Sequence, residues 1–235
     1  MYINNTSGGI TSEKVLLTWS GGKDSVLTLH KLTKSGDHQV VSLITTITKD
    51  YSRISMHGVR QVLLEQQAAS LGYPLKQVYI SKSASGKEYE AKMQQMLIGY
   101  FRQGIRSVAF GDIFLDDIKK YREENLSRIG MRALFPLWQR DTKRLAYAFI
   151  DLGFKAVITC IDSGALNKRF AGRIYNQQFL SELPPNVDPC GENGEFHTFV
   201  YDGPIFKKRI LYQLGEVVLR DERFYFCDLV PLRKS

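Results

Sequence analysis

Short apolar runs alternate along this chain with longer stretches of helical period, and that alternation restricts the fold more than any other feature. Residues 15–19, 40–47, 76–80, 107–110 and 156–161 have strand length and nearly continuous apolar character, as in strands covered on both faces. Between them Tyr89, Met93, Met96, Leu97, Tyr100 and Phe101 recur three and four residues apart, which predicts an amphipathic helix over 87–103. Leu145, Ala148, Phe149 and Leu152 repeat the pattern, and Gly153 supplies a stop. Parallel neighbours need a crossover of a dozen or more residues, usually a helix. The predicted class is therefore α/β: an open, mainly parallel sheet with helices on both faces. After Asn193 the pattern turns to strands at 196–201, 216–219 and 224–229, so a smaller C-terminal α+β part is expected. A boundary near Gly130 gives a flexible tail at 1–13, a first domain at 14–130 and a second part at 131–235.

Composition narrows the class. With 235 residues, 43% hydrophobic and 24% charged, the chain resembles a soluble globular protein, not a disordered or fibrous one. No apolar run approaches the length of a membrane span, and the N-terminus has no secretory pattern, so a cytoplasmic enzyme without a membrane partner is expected. Cys160, Cys190 and Cys227 form no C-x-x-C pair and read as reduced thiols. The net charge of +8 leaves nucleic acid open as a partner. Without a run of four Lys/Arg it reads more readily as dispersed solubilising charge.

The segment Ser20-Gly21-Gly22-Lys23-Asp24-Ser25 directly follows the first apolar run and opens a helical stretch with Val26, Leu29 and Leu32 on one face. A helix N-terminus offers N–H groups and partial positive charge, and two glycines let the backbone approach phosphate oxygens. Ser20 and Ser25 add hydroxyls, Lys23 adds charge, and Asp24 can hold Mg2+ or cap the helix. Ser7-Gly8-Gly9-Ile10-Thr11-Ser12 has the glycines without the strand, the helix or the Asp, and reads as tail. Neither G-x-x-x-x-G-K-[ST] nor a strand-linked G-x-G-x-x-G is present, which argues against ordinary kinases, GTPases and dinucleotide enzymes.

In an open α/β sheet the ligand lies beyond the carboxyl ends of the strands. Thr45 and Thr46 end the second run, where backbone groups can read an adenine edge, and Gly111 and Asp112 follow the fourth. Asp112 suits a magnesium ligand, an acceptor-site base or a helix cap; His57 suits a phosphate contact or an ordinary surface position. Glu192 and Glu195 lie in a glycine-flanked turn, an exposed setting in which carboxylates can grip ammonium, or an ordinary polar turn. Cys190 reads as a small buried thiol before a nucleophile, and Trp138 as core packing before a stacking platform.

The Ser20–Ser25 segment resembles the phosphate loop of the PP-loop ATP pyrophosphatases. Ser55-Met56-His57, Gly111-Asp112-Ile113, Pro136-Leu137-Trp138 and the long run Cys190-Gly191-Glu192-Asn193-Gly194-Glu195-Phe196-His197-Thr198-Phe199 are similar to the diphthine-ammonia ligase branch and its bacterial relatives. Together these segments span residues 14 to about 206. The resemblance implies a PP-loop (adenine nucleotide α-hydrolase-like) fold and an ATP-dependent ligase. A substrate carboxylate attacks the α-phosphate, pyrophosphate leaves, and ammonia converts the acyl-adenylate to an amide. It implies ATP and Mg2+ as cofactors, with Ser20, Gly21, Gly22, Lys23, Asp24, Ser25, Thr45, Thr46, His57 and Gly111 at the nucleotide. Asp24 and Asp112 would hold the metal, and Asp112, Glu192, Glu195 and His197 the reacting end. Asn193 and His197 depart from the family's G-E-G-G-E-x-E-T pattern, which leaves the acceptor open between a protein side chain and a small molecule. Ammonia would come from solution or a partner, and an oligomer is allowed. A tRNA-modifying adenylating enzyme and a non-catalytic ATP-binding regulatory module are the alternatives.

Overall fold

The computed structural model describes residues 12–54 and 58–232. The tail expected at 1–13 lies outside them except for its last two residues, and His57 lies outside them as well. Glu13 belongs to the first strand.

The first half builds a parallel sheet from β1 (Glu13–Thr18), β2 (His38–Thr48), a short β3 (Arg53–Ile54), β4 (Leu75–Ile80), β5 (Ser107–Ala109) and β6 (Arg132–Leu134). Leu43 and Ile44 of β2 pair with β1 on one edge and with β4 on the other, and β1 continues through β5 to β6, all in parallel. The order is thus β4-β2-β1-β5-β6, with β3 antiparallel to the end of β2. The chain leaves β1 in one direction and returns to its other side at β5. The ends of these two strands therefore flank the crevice where open α/β sheets place their ligands.

Helices α1 (Lys23–Ser35) and α2 (Gln61–Leu71) cover one face of this sheet, and α3 (Gly86–Arg102) and α4 (Asp116–Ser127) the other. The pleat of β1 shows the division. Val15 and Leu17 join the core that holds Val26, Leu29, Leu63 and Leu64, whereas Leu16 joins the one that holds Leu97 and Leu126. Elements α4 and β6 have little periodic apolar signal of their own: α4 buries only Leu126, and β6 has 3 residues.

After α5 (Thr142–Asp151) come β7 (Lys155–Asp162), β8 (Ile174–Tyr175), α6 (Gln177–Ser181), β9 (Phe196–Asp202), β10 (Tyr212–Arg220) and β11 (Phe224–Pro231), whose strands make a second, antiparallel sheet centred on β7. The first core runs on into this sheet, taking in Val157, Ile158, Phe196, Phe199 and Val200 beside the α1 and α2 residues. That shared core sets β9 against the start of α1. Among the described residues no helix is long and apolar enough to cross a membrane.

Candidate active site

The loop between β1 and α1 depends on both glycines, for different reasons. Gly21 has φ +77°, and a Cβ there would stand 2.8 Å from the Gln67 Oε1; only glycine takes this left-handed geometry without strain. Gly22 has ordinary extended backbone, but its Cβ would lie 3.1 Å from the Thr198 carbonyl oxygen. Gly22 is also the N-cap of α1 and brings no side chain to cap it, so backbone and dipole define that end of the helix. The Ser20 and Ser25 hydroxyls close the loop at 2.8 Å from each other.

Support for the loop comes from distant parts of the chain. Gln67 of α2 is fully buried. It accepts from the Trp19 indole at 2.7 Å and donates to the carbonyl oxygens of Gly21 at 3.0 Å and Val200 at 2.6 Å. From β9, the Val200 N–H donates to the Gly21 oxygen at 2.9 Å, and the Thr198 hydroxyl accepts from the Lys23 N–H at 3.0 Å. Sequence reasoning missed Gln67 and Thr198. The available signal was a glutamine one helical turn beyond Leu63 and Leu64, on the stripe that meets the core.

Lys23 turns inward. Its ammonium, 3% exposed, pairs with Asp24 Oδ2 at 2.8 Å, donates to the Cys190 carbonyl oxygen and faces the Phe196 ring at 5.6 Å. Burial works most strongly against the charge, but the Asp24 carboxylate together with Cys190 and Glu192 holds Lys23 above the usual lysine range. The other Asp24 oxygen, Oδ1, is buried without a hydrogen-bond partner. Gly111 makes room beside it, since a Cβ there would come within 3.1 Å of the Asp24 backbone. Asp112 gives both oxygens to Arg122, with Nη2 donating to Oδ1 at 3.0 Å and Nε 2.7 Å from Oδ2 in an ion pair. Of the two carboxylates expected at magnesium, Asp24 presents an oxygen with neither a hydrogen bond nor an ion-pair contact, whereas Asp112 Oδ2 lacks a hydrogen bond but lies against the Arg122 guanidinium. Among the described residues no three His, Cys, Asp or Glu side chains cluster as a metal cage. Mg2+ commonly takes one or two carboxylates and fills its shell with phosphates and water, and Asp24 beside the phosphate loop fits that use.

The glycine-flanked turn corrects one expectation, because its two glutamates are not alike and neither is freely exposed. Glu195 is 7% exposed and folds into its own turn, accepting from the Asp188 N–H, the Asn193 side chain and the Asn193 N–H, each at 3.0 Å. Asp188 completes the turn by accepting from the N–H groups of Cys190 at 2.8 Å and Glu192 at 3.2 Å. Glu192 reaches across to the loop after β5, where its Oε1 accepts from the N–H groups of Ile113 at 2.7 Å and Phe114 at 3.4 Å. Burial pushes its carboxyl up to about 7, against the opposing effect of the Ile113 N–H. Burial also pushes half-buried His197 down to about 4, which keeps its imidazole neutral at physiological pH. The Cys190 thiol donates to the Thr142 carbonyl oxygen at 3.3 Å and is pushed up by burial, as an inert core thiol should be. Trp138 packs on Phe135 at 5.7 Å.

These groups surround a cavity of about 540 Å³ at the carboxyl ends of β1, β2 and β5. Ser20, Gly22, Lys23, Asp24 and Ser25 line it from one side, Thr45 and Thr46 from β2, and Gly111 and Asp112 from beyond β5. Glu192, His197 and Thr198 close it from the C-terminal part. The Thr45 hydroxyl is buried there without a partner. Gly21 and Glu195 do not line the cavity; they shape the segments that do.

Two family models match the chain: the diphthamide synthase N-terminal domain over residues 13–133 and the diphthamide synthase C-terminal domain over residues 141–228. Among curated proteins it is similar to the diphthine–ammonia ligase of Homo sapiens, 27% identical over 224 residues, covering 85% of this chain and 83% of that one. The Rattus norvegicus protein of the same name is 28% identical over 240 residues, covering 92% and 88%. The Schizosaccharomyces pombe protein is 28% identical over 225 residues, covering 87% of this chain and 37% of that longer one. Among solved structures, a U34-tRNA thiolase from Methanococcus maripaludis overlaps 60% of this chain and 57% of its own at a TM-score of 0.38 and 16% identity, a likeness too weak to bear on function.

Proposed function

The chain belongs to the diphthamide synthase family, and from that premise we propose that it is an ATP-dependent carbon–nitrogen ligase that adenylates a carboxylate and transfers the acyl group to ammonia. The observation that carries this reading is the one cavity in which the N-terminus of α1, whose N-cap Gly22 brings no side chain of its own, faces Glu192, a carboxyl pushed up to about 7. The first group of features suits pyrophosphate, and the second suits proton transfer.

In this reading the β and γ phosphates lie at the start of α1, where backbone N–H groups, the helix dipole and the Ser20 and Ser25 hydroxyls offset their charge. The unpartnered Thr45 hydroxyl and the Thr46 backbone take the adenine end. A carboxylate oxygen of the acceptor attacks the α-phosphorus, and the bond to the bridging oxygen of pyrophosphate breaks. The remaining N–H groups of the loop, which Gln67 and Thr198 hold in shape, stabilise the charge that develops on the leaving group without reorganising. Asp24 would hold Mg2+ through Oδ1, and the ion, when bound, supplies further neutralisation of the phosphates.

Ammonia then attacks the acyl carbon of the mixed anhydride, AMP departs with the bonding electron pair, and the nitrogen loses a proton. Glu192 is suited to accept it, because a carboxyl near 7 is substantially ionised at neutral pH yet basic enough to take a proton. Curated relatives are named for diphthine as the acceptor, and a carboxylate of that class is the proposed substrate here. The test is to incubate the protein with ATP, ammonium and diphthine and separate the nucleotides by chromatography. AMP and pyrophosphate are expected; ADP as the sole product overturns the mechanism.

A further inference from the structure

A second cavity, of about 930 Å³, lies beyond His197. Ile54, Tyr89 and His197 line both it and the phosphate-loop cavity, so the two share a wall. Its far side is one face of the β10–β11 hairpin. Val218 pairs with Phe226 and Arg220 with Phe224, which puts these four side chains on the same face of the pleat. On the opposite face Tyr225 and Leu229 pack into the first core, whereas Val218, Phe224 and Phe226 belong to neither core. The hairpin therefore turns an apolar face that lies outside both cores, with Phe226 against Gly58, into the same cavity as Ile54 and Ile80, next to the reacting centre. Concave, mostly apolar walls with a few charged groups are what ligand sites offer.

The charges at the rim narrow the ligand. Arg53 donates to Asp228 at 2.8 Å, and Arg60 holds the same carboxylate at 2.6 Å, so this cluster pins the hairpin in place. That leaves Lys82, Arg220, Glu216 and Asp221 as the other charged residues that line the cavity. Two cations against two carboxylates make a balanced rim, which suits a body carrying both signs and offers no attraction to a polyanion such as nucleic acid. We infer that this second cavity is the acceptor site: it takes an amphipathic, zwitterionic body and directs that body's carboxylate past Tyr89 and His197 toward the phosphate loop. The inference rests on the adenylating reading for the direction in which the carboxylate points, but not for the presence of the site.

Calorimetric titration with ATP, and separately with free diphthine and with a diphthine-bearing protein, tests this. Val218→Trp fills the cavity from the hairpin side. It should weaken diphthine binding at least about tenfold while leaving ATP affinity within about twofold. Lys82→Glu, on an exposed side chain remote from the core, should weaken diphthine binding by a smaller factor in the same direction and serves if the tryptophan variant misfolds. Binding of both diphthine forms places the recognition in their shared group; binding of the protein form alone places it in that group plus its carrier. Unchanged diphthine binding in both variants, parallel loss of ATP binding in a folded variant, or binding of neither diphthine form by the unaltered protein overturns the inference. Production of ADP with diphthine binding still lost in Val218→Trp would sink the adenylating mechanism and leave the site standing.

Discussion

Gln67 and Gly21 meet at 3.0 Å, side-chain amide to carbonyl oxygen, inside the core and behind the phosphate loop. The loop proposed to face ATP is therefore shaped from its buried side by a residue that does not line the cavity. Gln67→Leu is expected to leave the Trp19 indole and the Val200 carbonyl without the Gln67 partner. At about 1–3 kcal/mol for each buried polar group left unpaired, the loss should be roughly 2–6 kcal/mol. Urea denaturation checks it: the midpoint should fall with an unchanged slope, and an unmoved midpoint would show that the glutamine contributes nothing.

Gly22→Val sets a branched side chain against the Thr198 carbonyl, 3.1 Å from the first added carbon. ATP binding should be lost by calorimetry while far-UV circular dichroism stays that of the folded protein. Ser25→Ala removes a hydroxyl that also closes the loop through Ser20. Charge-assisted hydrogen bonds contribute about 1.5–3 kcal/mol, so its effect should be a partial loss. Full ATP affinity in a folded Gly22→Val protein would remove the phosphate-loop assignment.

Glu192→Gln retains an oxygen for the Ile113 N–H but cannot titrate. Since Glu192 lies near 7 in the folded protein, against 4.5 for the ordinary group, the folded state binds its proton more tightly than the unfolded one. Its contribution to stability therefore declines as pH rises from about 4.5 to about 7. Amide formation by the unaltered enzyme should rise over the upper part of the same range as the base becomes ionised. The glutamine variant should bind ATP normally, form amide slowly and show neither pH dependence. A persisting acidic limb near 7 assigns the base to another residue.

Asp228 behaves in the opposite sense. The Arg60 and Arg53 guanidinium groups hold its carboxyl at about 2, below the ordinary 3.8. The stability it contributes is complete above the ordinary value and disappears as pH falls through about 2. With the side chain 22% exposed, roughly 1–2 kcal/mol remains after solvent screening. Asp228→Asn should lose about that much at neutral pH and show a flatter acid limb in thermal denaturation. It should also loosen the hairpin, lowering acceptor affinity more than ATP affinity; equal losses of both would place the cluster outside the acceptor wall.

Much of this was legible in the amino-acid order. The alternation of apolar runs and helical stretches is enforced by burial on both faces of the parallel sheet, so the α/β class followed from it. The strand, two glycines and helix around Ser20–Ser25 specify a phosphate loop because few other local conformations satisfy all of them. Helix α4 escaped notice because it is polar nearly all round. Glu195 misled because a carboxylate between glycines reads as exposed, and only the folded turn shows it accepting from Asp188 and Asn193. Gln67 and Thr198 are long-range partners, and no local pattern announces a contact 46 or 175 residues away.

The donation from Val200 to Gly21 and from Lys23 to Thr198 also orders events during synthesis. The loop emerges first, but the strand that holds its shape follows more than a hundred residues later. If the loop binds ATP as proposed, a chain still leaving the ribosome has no finished nucleotide site for most of its elongation, and ATP has nothing native to select until β9 has been made and docked. Ligand stabilisation acts only on states that already bind. For this protein ATP is thus a reward for completed folding and not a guide to it.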